Sequence, residues 1–300
     1  MTDLICVGLT TLDILVRTVD ALPDTQTPII VDEITLAPAG TAGGTAMIGA
    51  VLGLQVSLIS AVGQDVNGGI TLQLLADHGV DCTHVARLDV LPTSSSVLAI
   101  RKDGERPAFH MVGASVLTAL EGEAVAAAKQ SRFLHFGGVG FPNLSSPQAV
   151  EALAAIRAAQ TFITADLIAP QPGTLDILRT LLPHIDCFMP SEAEALALLG
   201  NVTMTEALQA FVDMGAGSCI IKRGGKGSIA LHEGNVVETP AKDITPIDTT
   251  SCGDSFCAGF ISGMADGLSF RQSIDVATET AAKVAMGLGT LGALEKKVAS

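Results

Sequence analysis

The run Asp248-Thr249-Thr250-Ser251-Cys252-Gly253-Asp254-Ser255-Phe256 joins a polar turn of small residues directly to an apolar, helix-patterned segment over 253–266. The first N–H groups of a helix have no intrahelical acceptor, and the helix dipole adds positive potential there. Ser251, Cys252, Gly253 and Asp254 are therefore expected to turn N–H groups towards an anion such as a phosphate. An aspartate at that place can accept the proton of a hydroxyl that attacks a phosphoryl group, while the N–H donors stabilise the developing negative charge. On the local pattern alone, Asp254 is equally well read as an acidic residue that favours a helix start.

The chain around this run has 300 residues, enough for one large α/β domain. Hydrophobic residues make up 48% and charged residues 16%, which points to a globular protein and away from disorder. Seventeen Lys and Arg stand against 31 Asp and Glu, a formal net charge of -14 that repels phosphate backbones. With no Trp and no Tyr there are few platforms for stacked bases, so no nucleic-acid partner is expected. An anionic substrate must be held by local dipoles and a metal. The six cysteines are scattered and form no C-x-x-C pair, which suits reduced thiols in the cytoplasm. Neither a signal-peptide pattern nor an apolar run of spanning length is apparent, so no membrane partner is expected.

The elements that must position the run follow from periodicity. An apolar stretch over 4–7, closed by Gly8, reads as a buried parallel strand. Residues 12–38 are broken by Pro23, Pro28 and Pro38 and suggest a few strands outside the main layer. A helix is expected over 41–54, a strand over 56–62 and a helix over 70–78. Strands over 95–101 and 107–112 flank Lys102-Asp103-Gly104-Glu105, a hairpin signal. Strands over 133–136, 162–165, 187–189, 219–222 and 228–231 then alternate with helices over 147–159, 174–182, 192–199, 205–214, 253–266 and 270–286. That alternation implies an α/β fold with a mostly parallel sheet flanked by helices. The two strand-rich patches, about 12–38 and 93–112, are expected to meet as a small β lid on a single domain spanning 1–300.

The run at 248–256 resembles the C-terminal signature of the ribokinase-like (PfkB) carbohydrate kinases, usually D-T-[TV]-G-A-G-D-x-F, with Ser251 and Cys252 at the Gly-Ala positions. Further matches run through the chain in the family's order. Gly8-Leu9-Thr10-Thr11-Leu12-Asp13 resembles the first strand and turn. Ala39-Gly40-Thr41-Ala42-Gly43-Gly44-Thr45-Ala46 stands where the family has G-G-x-A-x-N-x-A. Gly63-Gln64-Asp65-Val66-Asn67-Gly68, with Gly79-Val80-Asp81, resembles G-x-D-x-x-G … G-V-D. Pro190-Ser191-Glu192-Ala193-Glu194 resembles P-N-x-x-E, and Lys222-Arg223-Gly224-Gly225-Lys226-Gly227 resembles the T-L-G-x-x-G nucleotide loop.

The resemblance implies a ribokinase-like fold and transfer of phosphate from ATP, with Mg²⁺, to a hydroxyl of a small sugar or sugar-like molecule. It makes Asp254 the general base and Ser251, Cys252 and Gly253 the N–H donors. Asp13, Gly40, Thr41, Gly43 and Gly44 fall at substrate positions, and Lys222, Gly224, Gly227 and Thr278 beside the nucleotide. Glu194 would orient Mg²⁺ through water. Asp248 and Thr250 match positions that bind a monovalent cation in some relatives, so potassium activation is expected. The free edges of the lid invite pairing of two subunits into a homodimer. Each position has a plainer reading: Asp13 as a turn residue, the glycines as close-packing residues, Glu194 on a solvated helix face, Cys252 as packing, His110 as structural.

The departures bear on the substrate. Gly44 replaces the family's sugar-contacting Asn, Ser191 replaces the Asn of P-N-x-x-E, and Ala277-Thr278 stands where many members have Ala-Asn. Asp166-Leu167-Ile168-Ala169-Pro170 retains only the aspartate of D-x-N-x-R. A nucleoside kinase of the same fold and a non-catalytic ligand sensor are the alternatives. The absence of G-x-x-x-x-G-K-[ST], of G-x-G-x-x-G after the first strand, and of G-x-S-x-G argues against other nucleotide or hydrolase folds.

Overall fold

The computed structural model describes residues 2–21 and 26–294. Its elements in chain order begin β1 (Leu4–Gly8), β2 (Thr11–Arg17), β3 (Glu33–Ala39), α1 (Gly43–Val51), β4 (Val56–Gly63), α2 (Val66–Asp77), β5 (Val80–Asp81) and β6 (Val85–Leu88). They continue β7 (Ser95–Ile100), β8 (Ala108–Met111), α3 (Gly122–Ala128), β9 (Phe133–Gly137), α4 (Pro147–Ala158), β10 (Phe162–Ala165), α5 (Thr174–Leu181), β11 (Cys187–Phe188) and α6 (Glu192–Leu199). The C-terminal part holds α7 (Met204–Asp213), β12 (Cys219–Lys222), β13 (Ser228–His232), β14 (Asn235–Thr239), α8 (Cys252–Ala265) and α9 (Phe270–Ala285).

Ten strands form one sheet in the order β14-β13-β12-β11-β10-β9-β1-β4-β5, with β6 also on β4. All its pairs are parallel except β12–β13 and β13–β14. Every residue of β1, β4 and β9 is buried, as a parallel sheet covered on both faces requires. Successive side chains point to opposite faces. Ile5 and Val7 accordingly join the core under α4, α5 and α7, while Leu4 and Cys6 join the core under α1, α8 and α9.

The second sheet has the order β3-β2-β7-β8 and draws on both strand-rich patches. Its inner face packs Leu15, Ala37, Leu98 and Ile100 against Leu288. On its outer face, register aligns Leu36, Ile14, Val97 and Phe109 in one row across four strands. Residues 29–31 lie in no strand, and Pro23 lies outside the described residues.

Local chemistry explains several boundaries. Helix α2 starts at Val66, four residues earlier than periodicity suggests, because Asp65 caps it by accepting from the Gly68 N–H at 2.8 Å. The same carboxylate accepts from the N–H and hydroxyl of Thr93, tying α2 to the entry of the lid strand β7. Capping boxes start α6, α7 and α9. Strand β14 was not expected. Glu233 and Gly234 both have positive φ, which suits the two-residue turn that pairs His232 with Asn235.

Candidate active site

A cleft of about 1100 Å³ opens between the lid and the carboxyl ends of the main-sheet strands. Asp13, Gly40, Thr41, Glu194, Lys222, Gly224, Gly227, Thr250, Ser251, Cys252, Gly253, Asp254 and Thr278 all line it. These positions are scattered through most of the sequence, and the fold gathers them on one wall or another of the same space.

Asp254 sits in the first turn of α8, which has no side-chain cap. The preceding Ser251 takes the left-handed conformation, φ 53°, and this turns the chain sharply into the helix. The Ser251 Oγ is buried near Asp254 and completes no well-formed hydrogen bond. The Cys252 N–H reaches back to the Thr249 carbonyl at 3.4 Å. That corrects one expectation: the Cys252 N–H is already engaged, and the expected donors that remain are those of Ser251, Gly253 and Asp254, all of which line the cleft. Burial pushes the Cys252 thiol up to about 12, helped by Asp248, so it remains neutral.

Lys222 ends β12 and Asp166 follows β10, two strands that flank β11. Their side chains form an ion pair of 2.5 Å, and both are largely removed from solvent. A Cβ placed on Gly253 would lie 3.4 Å from the Lys222 Nζ, so the ammonium stands beside the start of α8. Burial alone would lower the Lys222 pKa. Asp166, Cys257 and Glu194 more than offset this and hold it well above its ordinary value. Asp254 shows the opposite balance. Burial pushes its carboxyl up to about 7, with repulsion from Asp166 adding to the rise, while Lys222, Ser251 and Arg106 oppose it. A carboxyl poised near neutrality beside orphan N–H donors and a fixed cation is equipped for proton transfer coupled to anion stabilisation.

Glu194 lies in the first turn of α6. Its Oε2 accepts from the Ser191 N–H at 2.7 Å, completing a capping box with the Ser191 hydroxyl. Burial and then Asp166 raise its pKa, while Lys222 lowers it. Among the described residues, no group of three or more His, Cys, Asp or Glu forms a metal cage. Such a wall suits a metal held largely by nucleotide phosphates with few protein contacts. Asp248 is buried, and its carboxylate is already engaged: Oδ1 accepts from the Thr250 N–H and hydroxyl, and Oδ2 from the Gly289 N–H. The pair Asp248–Thr250 therefore ties the turn before α8 to the loop after α9.

On the lid, Asp13 lies in β2, not in the turn after β1. It pairs in register with Ser96 of β7, which in turn pairs with His110 of β8. The Thr11 hydroxyl donates to Asp13 at 3.0 Å, and Ser96 is hydrogen-bonded to the imidazole Nδ1 of His110. Burial raises the Asp13 pKa, opposed by Ser96, Thr11, Arg106 and His110.

Two expected substrate contacts are corrected. Gly43 and Gly44 are buried and are not among the residues lining the cleft. A Cβ on Gly43 would meet Thr10 at 2.9 Å, and one on Gly44 would meet the Asp254 Oδ2 at 2.7 Å. They let α1 press against the turn after β1 and against the start of α8. Thr41 donates its hydroxyl to the Gly137 carbonyl. Thr278 donates its hydroxyl to the Ile274 carbonyl at 2.9 Å, so it offers the cleft no free donor. Gly227 has φ 85° and its Cβ position is filled by the Thr239 carbonyl, which explains a glycine at the end of that loop. Arg223 pairs with Glu238 and is not among the cleft-lining residues.

Three site residues carried no assigned role in the sequence: Asp166, Ser96 and Arg106. The first stood in a degraded motif, and the other two lie in lid strands or turns without any pattern. His110, read as structural, also lines the cleft.

A two-sheet α/β fold with a capped cleft, an uncapped helix start and an aspartate poised there defines a phosphotransferase of the ribokinase-like class. The pfkB family carbohydrate kinase model matches residues 1–297, and the chain belongs to that family. It is 30% identical to fructoselysine 6-kinase of Escherichia coli (strain K12), over 77% of this chain and 83% of that one. It is 26% identical to a fructokinase of Escherichia coli over 86% and 87%. A structure from Escherichia coli titled as a ribokinase II in complex with ATP and Mg²⁺ shares the fold, with a TM-score of 0.83, 21% identity and coverage of 97% and 95%. No single described helix is long and apolar enough to cross a membrane.

Proposed function

We propose that the protein transfers the γ-phosphoryl group of ATP to a hydroxyl of a small sugar or sugar-like substrate, with Asp254 as general base. The observation that carries this reading is the juxtaposition of Asp254, the uncapped start of α8 and the Lys222 ammonium in one cleft. ATP supplies the phosphoryl group, and Mg²⁺ offsets its charge. Asp254 takes the proton of the attacking hydroxyl and later releases it to solvent, so that R–OH and ATP become R–O–phosphate, ADP and H⁺. The N–H groups of Gly253 and Asp254 and the Nζ of Lys222 stabilise the negative charge that develops.

Asp13 accepts hydrogen bonds from substrate hydroxyls at the lid, beside Gly40 and Thr41. Gly224 lets the backbone approach the nucleotide, and Gly227 and Thr278 line the same cleft. The second carboxylate oxygen of Glu194 is left to hold a metal-bound water. A monovalent cation would act where Asp248 and Thr250 fix the turn before α8. Comparing turnover in potassium and in tetramethylammonium tests that role.

The outer lid face supports a homodimer: Ile34, Leu36, Val97, Phe109 and Met111 are all exposed on it. Sedimentation of the chain as a monomer would count against that. All six cysteines are free thiols, in keeping with the cytoplasm.

The test is an ADP-release screen of sugars, sugar derivatives and nucleosides with ATP and Mg²⁺. Turnover of at least one sugar-like acceptor, abolished by excess EDTA, is the expected result. Exclusive use of nucleosides, or ATP binding without turnover of any acceptor, would overturn it.

A further inference from the structure

Three cations among the described residues line the cleft: Arg106, Lys222 and Lys242. Lys222 is committed to Asp166, and Lys242 to Glu279 at 3.2 Å. Among the described residues Arg106 forms no ion pair, although it stands near enough to Asp13 and Asp254 to lower the pKa of each. It sits in the turn between β7 and β8, and its Nε donates to the Thr249 hydroxyl at 3.3 Å, so it spans from the lid to the turn before α8. That bond uses one of the five guanidinium N–H donors and leaves the other four without a hydrogen-bond partner among the described residues.

The lid face beside it is built for polar recognition. Ala37, Asp13, Ser96 and His110 occupy one transverse row across four strands, and Asp13, Ser96 and His110 all line the cleft. The row thus offers a carboxylate, a hydroxyl and an imidazole in sequence, leading towards the strand that follows Arg106. The phosphoryl end of the cleft has its own donors, the α8 N–H groups and Lys222. Arg106 offsets part of the charge of Asp13 and Asp254 from the lid side, and its free fork stays open to a ligand in the cleft. An oxyanion matches the planar fork in charge and shape.

We propose that the acceptor substrate carries an anionic group, a carboxylate or a phosphate, held by Arg106 with His110 beside it while Asp13 takes its hydroxyls. This rests on the kinase reading above and narrows the substrate to acidic sugars or sugar phosphates.

The test compares matched acceptors: D-gluconate and D-fructose 6-phosphate against D-glucose and D-fructose. Turnover is followed by ADP release and binding by thermal shift, for the wild-type chain and for Arg106→Met and Arg106→Lys. Charge-assisted hydrogen bonds predict that Arg106→Met lowers kcat/KM, or binding, about 10- to 100-fold more for the anionic members than for the neutral ones. Arg106→Lys should recover part of the loss. A wild-type preference for the neutral members overturns the proposal, and so does an anionic preference that survives in Arg106→Met. An equal loss for both classes also overturns it, since Arg106 would then serve the transferred phosphoryl group. If none of the four compounds is turned over, the wider acceptor screen decides the kinase reading separately; the proposal then stands or falls on whether the anionic compounds shift the melting temperature of wild type and not of Arg106→Met.

Discussion

Gly44 lies directly against the carboxylate of Asp254: a Cβ at residue 44 would come within 2.7 Å of Oδ2, 3.2 Å of Cγ and 3.3 Å of Cβ. The glycine in α1 thus sets the space in which the proposed base stands. The family's Asn at this position cannot be restored without moving Asp254.

Gly44→Ala separates packing from catalysis. Alanine is the better helix former by up to about 1 kcal/mol, so the melting temperature should hold or rise slightly. The methyl group displaces the carboxylate, and misplacement of a reacting group by about 1 Å costs on the order of 100-fold. A fall in kcat of about 10- to 100-fold with an unchanged melting temperature is expected. Unchanged kcat would mean that Asp254 is free to move without consequence.

The pH dependence follows from Asp254, whose carboxyl burial raises to about 7 from 3.8. A general base must be ionised, so kcat/KM should rise with pH and level off above about 7. Stability runs the other way. A raised carboxyl pKa means the folded state binds more protons, so this contribution is complete below pH 3.8 and is lost as pH rises to about 7. Asp254→Asn should therefore melt higher than wild type at pH 8, with the difference shrinking towards pH 4. Equal melting temperatures at pH 8 would show that the folded-state pKa is not raised.

The Asp166–Lys222 pair supports a third prediction. Both side chains are largely removed from solvent, so Lys222→Met leaves an unpaired buried carboxylate. Breaking such a pair typically costs about 3–5 kcal/mol. Lys222→Met should unfold many degrees below wild type, and Asp166→Asn with Lys222→Met should regain much of the loss. Additive effects of the two substitutions, measured by thermal unfolding, would show that they do not act as a pair.

Much of this architecture was legible because burial on both faces leaves continuous apolar strands such as β1 and β4, and glycines mark their ends. The run at 248–256 left Asp254 open to two readings, and the motifs that follow one another through the rest of the chain in the family's order singled out the catalytic one. Asp166 was legible only as a remnant, since its meaning depends on Lys222, 56 positions away. Arg106 had no signal at all: a lone arginine in a turn gains its role only when the lid folds over Thr249. Gly43 and Gly44 misled for a related reason. A glycine-rich turn looks the same in sequence whether it touches a ligand or, as here, a neighbouring residue of the chain. The β14 hairpin was readable from Glu233-Gly234 and was overlooked because its strand, with exposed residues, lacks an apolar run.

The most direct test of the account is Asp254→Asn, assayed for kcat and thermal stability together on the same purified protein. Asn keeps the shape and the place at the start of α8 but cannot take a proton. General-base catalysis is worth on the order of 10²–10⁴ in rate, and the loss should fall on kcat, because the proton moves only as the transition state forms. The account predicts a fall of at least about 100-fold in kcat, with ATP binding retained and the melting temperature raised at pH 8. A variant that keeps more than about a tenth of wild-type kcat would contradict the assignment of Asp254 as the base.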